Sequence, residues 1–146
     1  PVDPNVFYIG VTKQSGSATG WVFDPNPYGL GTNIFIVGSY TFNPGTADDE
    51  SRMWINPPTN TFAASSPPLE TLYYAEGNDI SGNAIRSFIL FNRHAAEPAE
   101  GIVDELSIGS TWAEVTPPAD TLDITAQPQS QRVLVGGTVT FSVATP

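Results

Sequence analysis

The chain has 146 residues, 40% hydrophobic and 14% charged, and carries a formal charge of −10. That length and apolar content fit a domain with a real core and exclude a disordered chain. The acidic balance argues against nucleic acid or an anionic membrane surface as partner. The absence of cysteine excludes disulfides, thiolate metal sites and cysteine nucleophiles.

Glycine (13) and proline (14) follow no collagen-like period and read as punctuation between short strands. The opening PVDPNVFYIG starts almost inside a strand, which predicts a longer precursor with its leader upstream. VFYIGVT (6–12) is the first strand signal. TGWVFDP (19–25) is the second, closed by the turn-rich DPNPYGLG. TNIFIVGSYTF (32–42) is the strongest, with Ile34, Ile36 and Tyr40 on one face and Phe35 and Val37 on the other. Two apolar faces predict a central place in a sheet. SRMWIN (51–56) follows an acidic loop, and LETLYYAE (69–76) reads as a short strand or an ordered loop. NAIRSFILFNR (83–93) and GIVDELSIG (101–109) complete the set. RHAAEPAE (93–100) is interrupted by Pro98 and is one helical turn at most. No apolar run reaches the ~18 residues of a membrane span. The pattern predicts an all-β fold, an antiparallel β-sandwich or jelly roll.

The texture then changes. Residues 117–128 hold three prolines and read as a linker between a sandwich over 1–116 and a separate segment over 129–146. In that last segment Val133 and Val135, then Val139, Phe141 and Val143, alternate with polar or smaller residues around Gly136-Gly137. This is the pattern of two amphipathic strands joined by a tight turn. An isolated hairpin is marginal in water, so these strands must pack on something else. Two readings stand: the first strands of a neighbouring domain, or strands donated to another subunit in a head-to-tail fibre.

Several side chains are candidates for chemistry. Asp48, Asp49 and Glu50 form the densest acidic cluster and are the candidate Ca²⁺ ligands, since Ca²⁺ takes six to eight oxygens. The alternative is a solvated loop. Asp24 with Asn26, and Asn78 with Asp79, are weaker versions of the same idea. Trp54 with Arg52 and Asn56 shares one strand face and is a candidate ligand platform. Trp21, Tyr28, Tyr73 and Tyr74 are further aromatics able to stack on sugars or to pack in the core. His94 is the only histidine; no Gly-x-Ser-x-Gly elbow accompanies it, so it is expected at the surface. Asp104 and Glu105 are neighbours on an expected strand and point to opposite faces. They cannot supply the ~5 Å or ~6.5–9.5 Å carboxyl pairs of glycosidases, and structural roles are expected of both. Trp112 is expected to plug the sandwich.

Three stretches carry a resemblance: NIFIVGSYTFNPGTADDESRMWINP, AIRSFILFNR and GIVDELSIGSTWAEV. Together, over about residues 6–115, they resemble the C-terminal half of a concanavalin A-like (LamG-like) jelly roll of large secreted bacterial surface proteins. The most specific element is Asp104-Glu105-Leu106-Ser107-Ile108-Gly109-Ser110-Thr111-Trp112. The tail ITAQPQSQRVLVGGTVTFSV resembles the first two strands of a bacterial Ig-like domain. Enzymes of the jelly-roll superfamily carry a Glu-x-Asp-x-x-Glu pattern, which this sequence lacks. The resemblance implies a non-catalytic, extracellular, structural or adhesive module, with no certain cofactor beyond the Ca²⁺ candidate. Its expected partners are its own copies or neighbouring domains of the same precursor. A carbohydrate-binding module is the alternative.

Overall fold

The computed structural model describes residues 3–13, 20–80, 85–89, 101–116, 118, 132, 134–140 and 142. The chain divides into two compact units, Pro1–Thr116 and Pro117–Pro146. Among the described residues, the first is built of short antiparallel ladders with a single turn of α-helix, an all-β fold.

Strands β1 (Val6–Phe7) and β2 (Gly10–Val11) are two halves of the expected first strand. They pair with β4 (Tyr28–Gly29) and β3 (Val22–Phe23) respectively. Val11 faces Val22 and Gly10 faces Phe23, whereas Phe7 faces Tyr28. Residues 24–27 therefore bulge out opposite Tyr8 and Ile9. Pro25 and Pro27 have no N–H to continue a ladder, so the ribbon breaks there. Asp24 closes the bulge. Its N–H donates to Ile9 O at 2.8 Å, and its carboxylate accepts from Asn26 N–H, Asn26 Nδ2 and Tyr28 OH. The ring of Phe23 lies across Gly10, where a Cβ would stand 2.6 Å from it, so glycine is required at that position.

The main sheet has the order β5-β6-β7, with β5 (Ile36–Thr41), β6 (Glu50–Ile55) and β7 (Leu72–Tyr74) all antiparallel. The sequence expectation of a central β5 is corrected. Among the described residues β5 pairs with β6 alone, and β6 is the central strand. The reason lies in the side chains. β6 buries residues on both faces, Trp54 on one and Ile55 on the other, while Ile36 of β5 stays exposed.

Two apolar clusters follow from this. Val11, Ile55 and Leu72 pack with Ile9, Val22, Tyr28, Ile34, Met53 and Tyr74, which seats the 6–29 ribbon on one face of the sheet. Val37, Trp54 and Trp112 pack with Ala64 and Val115 on the other face. Trp112 opens α1 (Trp112–Val115) and meets Trp54 edge-on, with ring centroids 5.1 Å apart. The helix turn starts at a capping box: Thr111 Oγ1 accepts from Glu114 N–H, and Glu114 Oε2 accepts from Thr111 N–H. Thr116, fully buried, donates to Trp112 O and accepts from Ala63 N–H.

The expected strands at 83–93 and 101–109 are also corrected where they are described. Residues 85–89 and 101–109 lie in no ladder. Ile102 is 93% exposed, and Leu106 and Ile108 are exposed with it. Glu105 has φ 53°, a left-handed conformation that breaks the alternation a strand needs. Asp104 accepts from Glu105 N–H and does not border the core. His94 lies outside the described residues.

In the second unit, Gly137 N–H donates to Leu134 O at 2.9 Å and Gly136 has φ 90°. This is a turn centred on Val135-Gly136, one residue earlier than the sequence pattern places it. Val135 becomes the fully exposed turn tip rather than a strand-face residue, and Val139 is half-buried. Val133, Phe141 and Val143 lie outside the described residues. No helix among the described residues is long and apolar enough to cross a membrane.

Candidate functional site

The loop from β5 to β6 is short and turn-rich, and Asp48 and Asp49 sit at its end. Asp48 folds back to accept from Gly45 N–H at 3.0 Å, and its carbonyl accepts from Asn43 Nδ2. Asp49 is only 1% exposed; it accepts from Asn43 N–H at 2.7 Å and from Tyr40 OH at 2.8 Å. Burial is the main cause that raises the Tyr40 hydroxyl above its ordinary value. The loop after β7 brings a third carboxylate, Asp79. Its Oδ2 accepts from the N–H groups of Ala47 (2.6 Å) and Asp48 (3.3 Å), and its Oδ1 from Asp49 N–H (3.0 Å). Tyr40 OH in turn accepts from Ile80 N–H.

Lys13 completes the cluster. It follows β2, and its side chain is wholly buried. Nζ donates to Asp79 Oδ1 at 2.8 Å and to Ala75 O at 3.1 Å. The Lys13 ammonium, followed by the three backbone N–H groups, holds the Asp79 carboxyl below the usual carboxylate range, against the opposing effect of burial. Two distant segments, at Lys13 and at 47–49, thus converge on the Asp79 carboxylate.

Asp48, Asp49 and Asp79 each bring an oxygen within 4.8 Å of the others. That spacing is compatible with a cation, but the donor set is not. Both oxygens of Asp79 are committed to N–H groups and to an ammonium, and Asp49 is committed to Tyr40 and Asn43. Ca²⁺ needs free oxygens, and Lys13 occupies the place of the charge it would bring. The residues therefore fit a hydrogen-bonded knot, in which Lys13 offsets one of the three carboxylates, and not a Ca²⁺ cage. Glu50, the third expected ligand, points to the opposite face. It forms an ion pair with Arg52 at 2.9 Å and accepts from Tyr73 OH at 2.9 Å, while Arg52 lies 5.0 Å from the Tyr73 ring centroid.

The expected platform of Trp54, Arg52 and Asn56 is also corrected. Trp54 is 4% exposed, and its Nε1 donates to Pro68 O. Asn56, with φ 48°, ends β6 by exchanging hydrogen bonds with the Phe35 backbone. The surface aromatics are elsewhere. Trp21 and Phe23 alternate about β3 and stack with centroids 6.1 Å apart and planes at 20°; Trp21 is 44% exposed. Trp21 was named in the sequence as a stacking candidate; Phe23, two residues on in the same expected strand and so on the same face, was not named as its partner. Lys13 carried no motif at all. Its pairing with Asp79 spans 66 residues, beyond any local signal.

Searches of family models, curated proteins and solved structures found no match to this chain.

Proposed function

We propose that the chain is a non-catalytic, extracellular β-sandwich of the concanavalin A-like jelly-roll kind, structural or adhesive within a bacterial surface protein. One observation carries the reading: the buried carboxylates Asp24 and Asp49, and the half-buried Asp79, are tied to donors of the chain itself. Carboxylates arranged this way brace loops. A site that turns over an external substrate would instead leave lone pairs aimed at an open cleft. The row of exposed apolar residues Ile102, Val103, Leu106 and Ile108 suits a surface covered by another module or copy. The tail, strand-like in sequence, is the element proposed to join subunits. Negative-stain microscopy of the native material tests this: regular fibres are expected, and deletion of residues 129–146 should abolish them. Fibres unchanged by the deletion would exclude strand donation. Dispersed particles would leave the structural role to a larger precursor.

A second reading, carbohydrate binding, is favoured by the stacked and exposed Trp21–Phe23 pair, since such rings present an apolar face to a sugar. Titration against a glycan panel, with and without EDTA, separates it from the first. Binding that is lost in Trp21→Ala and indifferent to EDTA would establish it. No binding to any glycan would exclude it.

A further inference from the structure

We propose that Lys13 and Asp79 join in an intramolecular amide, a covalent cross-link between Nζ and Cγ that the fold makes for itself. Three features of the knot carry this. The nucleophile is immobilised: the Lys13 side chain is wholly buried, and Nζ is fixed between Asp79 Oδ1 at 2.8 Å and Ala75 O at 3.1 Å. Holding two reactants at hydrogen-bond distance replaces a dilute encounter with an effectively unimolecular one. The carbonyl oxygen is also prepared. The N–H groups of Ala47 and Asp48 converge on Asp79 Oδ2, where negative charge would develop during attack on Cγ. Finally, the buried ammonium and the half-buried carboxylate both give up hydration, and an amide removes both charges.

The chemistry balances without a co-reactant. One proton passes from Nζ to Oδ1 along their hydrogen bond, giving an amine and a carboxylic acid. The amine lone pair attacks Cγ, and Oδ2 takes up the displaced electron pair. When the carbonyl re-forms, the Cγ–Oδ1 bond breaks; a second proton from nitrogen goes to Oδ1, which leaves as water. Ammonium and carboxylate become amide and water. The ionised pair is the resting form, so the neutral pair is scarce and the reaction is slow. It needs to occur only once per chain.

The bond would tie the segment after β2 to the loop after β7 in a protein with no cysteine. The test is the intact mass of the denatured full chain, followed by a tryptic map. A chain one water lighter than its sequence is expected, with no cleavage after Lys13 and a branched peptide joining Lys13 to Asp79. In Lys13→Arg, which keeps the charge but lacks the amine, the mass should return to the sequence value. A wild-type mass equal to the sequence, with normal cleavage after Lys13, would overturn the proposal and leave an ion pair. A lost water that persists in Lys13→Arg would also overturn it, because it would mark a succinimide elsewhere.

Discussion

The central strand β6 is braced in two different ways. Toward its C-terminal end, Trp54 packs against Trp112 and Val37, and Ile55 against Val11 and Leu72. At its N-terminal end, the chain is held by the hydrogen bonds of Asp49, Asp79 and Lys13. The apolar end rests on removal of surface from water, which is non-directional and insensitive to pH. The polar end rests on donor geometry and charge, which pH and single-atom changes can undo. A small β-rich unit can thus secure its loops with polar knots where it lacks apolar residues to bury.

The largest effect is expected at the apolar end. Trp54→Ala or Trp112→Ala removes an indole from a buried pair and should cost about 3–5 kcal/mol. Urea unfolding at several pH values should show the same loss throughout; a strongly pH-dependent loss would break the contrast. Next, Lys13→Met should lower the denaturant midpoint by less than the tryptophan variants, because it removes the Lys13–Asp79 link but no apolar packing. Equal or higher stability would show that the knot does not brace the strand.

Acid should then act at the carboxylates that the chain's own donors hold below their ordinary values, Asp24, Asp79 and Glu114. Hydrogen bonds from Tyr28 OH, first, and from Asn26 N–H hold the Asp24 carboxyl below its ordinary value of 3.8. A carboxyl depressed in the folded state binds fewer protons there than when unfolded, so its contribution is present above that value. It is lost as the pH falls below 3.8 through the folded value. Asp24→Asn should flatten this part of the acid unfolding curve, while Trp112→Ala should leave its shape unchanged. The smallest effect is expected at Arg52, an incompletely buried ion pair with Glu50. Arg52→Ala should cost under about 1 kcal/mol and less still at high salt. Thermal melts at two ionic strengths would check it.

The candidate site was only half legible. Asp48 and Asp49 were visible as a cluster, and Asp79 as a separate weak candidate. Their union required the loops after β5 and β7 to meet, which no local pattern encodes. Glu50 was misassigned for a simple reason: it follows Asp49 into a strand, and successive strand residues take opposite faces. Trp112 was expected as a plug and does pack against Trp54. The helix turn that carries it was announced by Thr111-x-x-Glu114, a capping-box spacing just after the expected strand 101–109.

By itself, the sequence determined the all-β class, the strand signals at 6–12, 19–25, 32–42, 51–56 and 69–76, and the acidic surface. These depend on two-residue periodicity, on proline and glycine, and on charge, which are local properties. Only the tertiary structure decided that β6 is central and that Trp54 is buried. It also decided that the apolar residues of 101–109 stand exposed and that Lys13 meets Asp79. Each of these depends on which distant segments come together. Pairing partners are chosen by burial and hydrogen-bond satisfaction over the whole unit, and one strand's pattern is compatible with several of them.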